Sequence, residues 1–474
     1  VRRELVVNIP VRVDRSDERR LPVQLADGVR DLIASGVLGP GDALPSTRST
    51  ARRLSVSRGT VTAAFDQLQA EGYLVAAHGS GTRVNPDLEK LHAEHRPRPA
   101  PPVAQPPAVV DLRPGIPDTS TLADPAWRGA WREQVSRPGV VPADPLGDPG
   151  LRLEICDHLR RMRGLVTSPD RIAVTAGSRE GLAALLRVWD RDRPLGIGVE
   201  SPGYPSLRRV PTALGHRTVD LPTDAGGLRT ADLPESGLDA VLVTPSHQYP
   251  YGGSLAAPRR LELVAWARDH GVWLIEDDFD SELRHVGQPL PALAALAPDS
   301  TVLLGTFSSV LTPSLACGYV VLPTTLVAPV RRLREALGQP VGGLVQGALA
   351  RYMATGALRR RTQRLRQIYR RRRGLVMEVL GGLPGSRLQP INGGLQAVLV
   401  CSADEDALVD GCTAAGVGVV PLSAYWGGQG AGSGLVVGFG AHDDATLVTC
   451  LEQVAAVVRE LSRVGLSGSS PESG

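Results

Sequence analysis

The sequence predicts an α/β protein in two parts: a small N-terminal head of three helices and a β-hairpin, then a larger body on a mostly parallel sheet. Three observations predict it. Helical apolar stripes near the N-terminus precede two short strand-like runs joined by a glycine turn. After a proline-rich break, continuous apolar runs alternate with helical patterns, as strands covered on both faces require. The length of 474 residues leaves room for at least two domains with real cores.

The head reads in order. Within residues 24–35, Leu25, Val29, Leu32 and Ile33 share one helical face, and GVLGPGDALP then turns the chain. Ser46 or Thr47 can cap a second helix carrying Ala51 and Leu54 inward, and Ser57 a third with Val61, Phe65 and Leu68 as its stripe. The runs YLVAA and TRVN pair across His78-Gly79-Ser80-Gly81. Three helices and a hairpin within about 60 residues is the layout of a winged helix-turn-helix. If the third helix packs through its stripe, its first turn projects Arg58, Thr60 and Thr62 outward. Residues there meet base edges and phosphates, so double-stranded DNA is the expected partner. Arg48 suits a phosphate, while His78, Gly79, Ser80 and Arg83 suit a wing against the minor groove. A solvated three-helix unit with surface arginines is the bland alternative. Charge placement favours DNA: residues 1–84 hold 12 arginines and 9 acidic residues, which accounts for the whole net charge of +3.

The head is expected over residues 1–84, a linker over 85–108, the body over 109–464 and a polar tail over 465–474. RPRPAPPVAQPP in the linker favours extended polyproline conformations. Strand-like runs in the body are 171–175, 195–199, 240–244, 272–275, 301–305 and 318–322. Five scattered cysteines without a CxxC pattern read as reduced thiols, with no metal site. No run approaches the roughly 20 apolar residues of a membrane span, and the opening residues lack a signal-peptide core. A cytoplasmic protein with no membrane partner is therefore expected.

Of the 52 basic residues, 51 are arginine and one is Lys90. Chemistry that needs a lysine amine has a single candidate, and it lies in the linker. In the body, Ala176-Gly177-Ser178 follows a strand and opens a helix, so backbone N–H groups there can face an anion. Asp277 ends a strand run, where ligands bind in open α/β sheets. Its carboxylate can pair with a protonated ring nitrogen; alternatively it is one acid in a polar loop. His247 is either a ligand donor or a loop-fixing hydrogen bonder. The run 357–373 has nine arginines and reads as an exposed helix packed through Leu365, Ile368 and Tyr369. Cys317 reads as a core thiol.

Two strings carry a family resemblance. LPSTRSTARRLSVSRGTVTAAFDQLQAEGYLVAAHGSGTRV resembles the GntR winged-helix family, whose DNA contacts fall at Arg48, Arg58, Thr60 and Gly79. DLRPGIPD, GDPGLR, TAGSREGL, ESPGYP, VTPSHQYPYGG, IEDDFDSELR and GTFSSVLTPSLACGYVVLP resemble, in order, the aminotransferase-like body of the MocR subgroup of GntR regulators. The resemblance spans residues 20–464. It implies a fold-type-I, pyridoxal-phosphate-transferase architecture with a seven-stranded sheet, a smaller C-terminal subdomain and a head-to-tail homodimer. It also implies a ligand site at Gly177, Ser178, Tyr204, His247, Asp277, Phe279, Thr306 and Ser309.

The departures bear on the chemistry. Where that family carries its Schiff-base lysine, in a GTFSK-type string, this chain has Ser309, whose hydroxyl cannot form an imine. The family's arginine seven residues on is Ala316, and the expected tyrosine beside the ring-nitrogen carboxylate is Phe279. No arginine lies between Arg387 and Arg459 to serve as the usual carboxylate clamp. The expectation is a DNA-binding regulator with no catalytic residues, no covalent cofactor and an unidentified small-molecule effector. Noncovalent pyridoxal phosphate, held through Ser178, Thr306 and Asp277, is the alternative.

Overall fold

The structure, a computed structural model, describes residues 10–11, 13–17, 19–77, 81–88, 109–137, 144–189, 193–287, 290–427 and 432–467. His78, Gly79, Ser80 and Lys90 lie outside the described residues. The chain forms two compact units that divide between Pro106 and Pro107.

In the first unit, helices α1 (Leu21–Ala34), α2 (Thr47–Leu54) and α3 (Arg58–Ala70) precede an antiparallel pair, β1 (Leu74–Ala77) and β2 (Gly81–Val84). The caps are those the sequence offers: Ser46 Oγ accepts from Ser49 N at 3.2 Å, and Ser57 Oγ accepts from Thr60 N at 3.0 Å. Leu25, Val29, Ile33, Val61, Phe65 and Leu68 are buried together, which leaves the start of α3 facing outward. Between α2 and α3 the backbone turns through Ser55 in the left-handed region, at φ 54°.

The second unit carries an eight-stranded sheet in the order β4-β11-β10-β9-β8-β5-β6-β7. Its strands are β4 (Ile172–Thr175), β5 (Gly196–Ser201), β6 (Arg217–Asp224), β7 (Gly227–Leu228), β8 (Ala240–Val243), β9 (Trp273–Asp278), β10 (Thr301–Thr306) and β11 (Gly318–Val321). From β10 across to β6 the pairings are parallel, whereas β11 runs antiparallel to both neighbours. The eighth strand is the two-residue hairpin partner β7, added to the seven the resemblance implies. Apolar clusters cover both faces of the sheet, which explains why its strands read as unbroken apolar runs. A smaller antiparallel sheet joins β12 (Ser386–Leu388), β13 (Gln396–Cys401), β15 (Val420–Pro421) and β16 (Gly434–Gly438), and β3 (Val110–Asp111) pairs in parallel with β14 (Val417–Gly418). The last helix, Asp444–Ser467, runs through Gly465 into the expected tail.

The arginine-rich run is the expected helix, packed through Leu365, Ile368 and Tyr369, with Arg359, Arg360, Arg364, Arg370 and Arg371 exposed; two of its arginines depart from that reading. It lies in the helix Ala357–Leu380, and Arg361 and Arg372 are buried in it. Arg361 donates to the carbonyls of Val310 and Asp118 at 2.7 and 2.5 Å; Arg372 pairs with Asp118 at 2.8 Å. These guanidiniums satisfy loop carbonyls that the packing has removed from water. None of the described helices is long and apolar enough to cross a membrane.

Candidate functional site

The C-terminal ends of β4, β9 and β10 open onto a cavity of about 230 Å³ in the second unit. Each strand end delivers a different chemistry.

After β4 comes Gly177, with φ 89°, a backbone conformation glycine adopts without strain. Its turn starts the helix Ser178–Trp189, whose first N–H groups are free of helical partners. Ser178 and Arg179 line the cavity. The turn is stiffened by Glu180, whose Oε2 accepts from Ala176 N at 3.1 Å and whose Oε1 pairs with Arg334 at 2.7 Å.

Near the end of β9, Asp277 is 3% exposed, and neither carboxylate oxygen has a hydrogen-bond partner. Burial holds its carboxyl well above the ordinary range, and the acids Asp278, Asp280 and Glu200 add to this against the Ser178 hydroxyl. Glu200, at the end of β5, is also buried and accepts from Thr244 N at 3.2 Å and from the Thr244 hydroxyl. Its other oxygen is unpartnered, and burial pushes its carboxyl up to about 7. Glu200, Thr244 and Asp277 surround a small space behind the main cavity. Asp278 and Glu276 are instead neutralised by the buried Arg163, at 3.0 Å each.

Beyond β9, Phe279 packs edge-on against Tyr249, 5.5 Å between centroids, and Tyr249 against Tyr204 at 5.1 Å. These rings form an aromatic wall. After β10, Thr306 Oγ1 donates to Ser308 Oγ at 2.9 Å, and the Ser309 hydroxyl donates to the Phe279 carbonyl at 2.6 Å. Ser309 therefore ties two strand ends together across the cavity floor. Ala316 sits in the left-handed region at φ 44° on the cavity rim.

Of the residues expected here, Gly177, Ser178, Tyr204 and Asp277 line the cavity, with Phe279, Thr306 and Ser309. His247 does not. It is buried beneath Phe279, its Nδ1 2.7 Å from Asp280 Oδ2, so it fixes the loop and is absent from the cavity lining. Cys317 is a core thiol, and burial pushes it up to about 12. Arg179, Tyr249, Ser308 and Gln396 line the cavity without having been anticipated. Tyr249 lies two residues after His247 in the VTPSHQYPYGG string, where its aromatic ring was a readable signal.

In the first unit, Arg48, Arg58 and Thr62 are exposed at the starts of α2 and α3. Thr60 is half-buried, and its hydroxyl is 2.8 Å from the capping Ser57 hydroxyl, so part of its capacity serves the cap. Arg83 donates to the Gly41 carbonyl at 3.2 Å, which ties the hairpin to the loop before α2.

The chain compares with known proteins along its length. Residues 21–84 match the model for bacterial regulatory proteins of the gntR family, and residues 109–430 that for aminotransferase class I and II. The HTH-type pyridoxine biosynthesis transcriptional regulator PdxR of Corynebacterium glutamicum is 54% identical over 96% of this chain and 99% of its own length. The probable rhizopine catabolism regulatory protein MocR of Rhizobium meliloti is 28% identical over 92% and 93%. Among solved structures, the multiple substrate aminotransferase of Thermococcus profundus shares the body's fold at a TM-score of 0.68 and 21% identity, over 76% of this chain and 93% of that one. With a gntR-type head, an aminotransferase-type body and a full-length regulator as relative, the chain belongs to the MocR subgroup of the GntR family of transcriptional regulators.

Proposed function

We propose that this regulator binds DNA through α2, α3 and the hairpin, and that its body senses a phosphorylated pyridine of the vitamin B6 type without catalysing transamination. The observation that carries the ligand reading is Asp277: a buried carboxyl that no cation pairs with among the described residues, at the edge of a cavity walled by aromatic rings. A protonated pyridine nitrogen supplies the missing partner. Also lining the cavity, the start of the helix Ser178–Trp189 and the hydroxyls of Thr306 and Ser308 suit a phosphate. The Corynebacterium relative is a pyridoxine biosynthesis transcriptional regulator, which agrees with such a ligand.

Pyridoxal phosphate would supply an electron-withdrawing ring, but this site holds it without a covalent bond. A serine stands at 309, its hydroxyl already donated to the Phe279 carbonyl. The protein thus acts as a cytoplasmic regulator, working as a homodimer whose head and body arrangement the ligand biases through differential affinity.

Calorimetric titration of the purified chain with pyridoxal phosphate, followed by borohydride treatment, tests this. Saturable binding that Asp277→Asn weakens at least tenfold is expected, with no adduct fixed to the protein. A borohydride-fixed adduct would restore the covalent reading, and absence of any binding would remove the B6 ligand.

A further inference from the structure

Part of the DNA-binding unit lies ahead of the family match, which begins at residue 21. Residues 10–20 are built onto the head by two anchors. Gln24, 8% exposed, holds their backbone: its Oε1 accepts from Asp14 N at 2.8 Å, and its Nε2 donates to the carbonyls of Asp14 at 2.9 Å and Arg19 at 2.7 Å. Val11 joins the head's apolar core over Gly28, where an added Cβ would stand 2.6 Å from Val11 Cγ1. The strap then reaches across the head. Arg15 Nη2 donates to the Ser55 carbonyl at 2.7 Å.

Ser55 is the left-handed residue of the turn between α2 and α3, two positions before the capping Ser57. The Arg15 guanidinium is therefore held at the turn, three residues ahead of Arg58, where α3 starts. The side chain is exposed, and its bond to a neutral carbonyl leaves its charge unbalanced; among the described residues no carboxylate pairs with it. Arg19, on the same strap, is by contrast paired with Asp17 at 2.6 Å and Asp27 at 3.3 Å.

We propose that Arg15 is a further contact to the DNA backbone, delivered by the strap to the helix-turn-helix turn, where it takes a duplex phosphate beside α3. The proposal rests on α3 being the helix that enters the groove. A groove-bound helix has phosphates flanking its N-terminus, and an anchored guanidinium there gives up little freedom on binding one.

The full chain titrated against a duplex of arbitrary sequence at several salt concentrations tests it. Each phosphate contact adds about 0.9 to the slope of log affinity against log salt. Arg15→Gln is expected to reduce that slope by about 1 per protomer and to weaken binding several-fold at physiological salt. Arg15→Lys should keep the slope, and Arg19→Gln, which removes a paired charge from the same strap, should leave it unchanged. An unchanged slope in Arg15→Gln while Arg58→Ala still weakens binding would refute the Arg15 contact and leave the head's role standing. A lower melting temperature in Arg15→Gln with an intact slope would reduce Arg15 to a brace of the turn and overturn the proposal. An equal loss in Arg19→Gln would reduce the effect to net charge and also overturn it. A wild-type chain that bound no duplex would remove both readings.

Discussion

Arg48 and Arg58 stand exposed at the starts of two short helices. Asp277 and Glu200, in the body, are buried, and Asp277 Oδ1 and Oδ2 and Glu200 Oε1 meet no donor among the described residues in hydrogen-bonding geometry. The head holds its binding groups where solvation makes them inexpensive to keep and each contributes modestly. The body holds its groups where an unmet charge is costly, so whatever meets it is bound selectively. The difference is one of environment more than residue type, since Asp278 and Glu276, beside Asp277 in sequence, are neutralised by Arg163.

That contrast can be broken in order of expected effect. Removing Arg163 strands two buried acids, so Arg163→Ala should lower body stability by about 3–5 kcal/mol, measured by denaturant unfolding. A loss below about 1 kcal/mol would mean that water reaches the pair. Next is pH. The folded Glu200 carboxyl holds its proton up to about 7 against an ordinary 4.5, so the native state binds more protons than the unfolded state between those values. Stability should therefore fall as pH rises across that window, by an amount of the order of 3 kcal/mol from this one group. Glu200→Gln should flatten that part of the pH–stability curve; an unaltered curve would place the titration elsewhere.

In the head the effects should be smaller. Arg58→Ala is expected to weaken duplex binding by about 1–3 kcal/mol in mobility-shift titrations, and unchanged affinity would sink its role. Ser57→Ala removes the cap of α3 and should cost about 1 kcal/mol of head stability by thermal melting. Equal penalties for Arg163→Ala and Ser57→Ala would erase the distinction between the two regions.

The head was legible because its signals are local. Ser46, Ser57 and the apolar stripes each act within one or two turns, so spacing alone fixes them. The strap was not, because Gln24 recognises backbone ten residues away, and backbone carries no sequence signature. In the body, strands buried on both faces stood out as apolar runs, whereas β7 and β15, two residues each, carry too little pattern. Gly177 and Asp277 were readable from their places at strand ends. The Glu200 environment was not, since Thr244 meets it only because β8 pairs with β5. His247 was ambiguous for the same reason: its partner Asp280 lies 33 residues on, and only the fold decides between ligand and loop. In the helix Ala357–Leu380 the packed stripe and the exposed face were readable, but not that Arg361 and Arg372 are drawn inward to carbonyls of distant loops, for which the sequence carries no local sign.

The seat of Val11 on Gly28 has a practical consequence for how the head is cut out for study. A fragment begun at Leu21, where the family match starts, would leave an apolar groove open to water and the Gln24 amide without its backbone partners. Such a fragment would be stickier and less stable than the intact head. Any affinity measured on it would describe a truncated interface, so the boundary drawn by homology is shorter than the one drawn by packing.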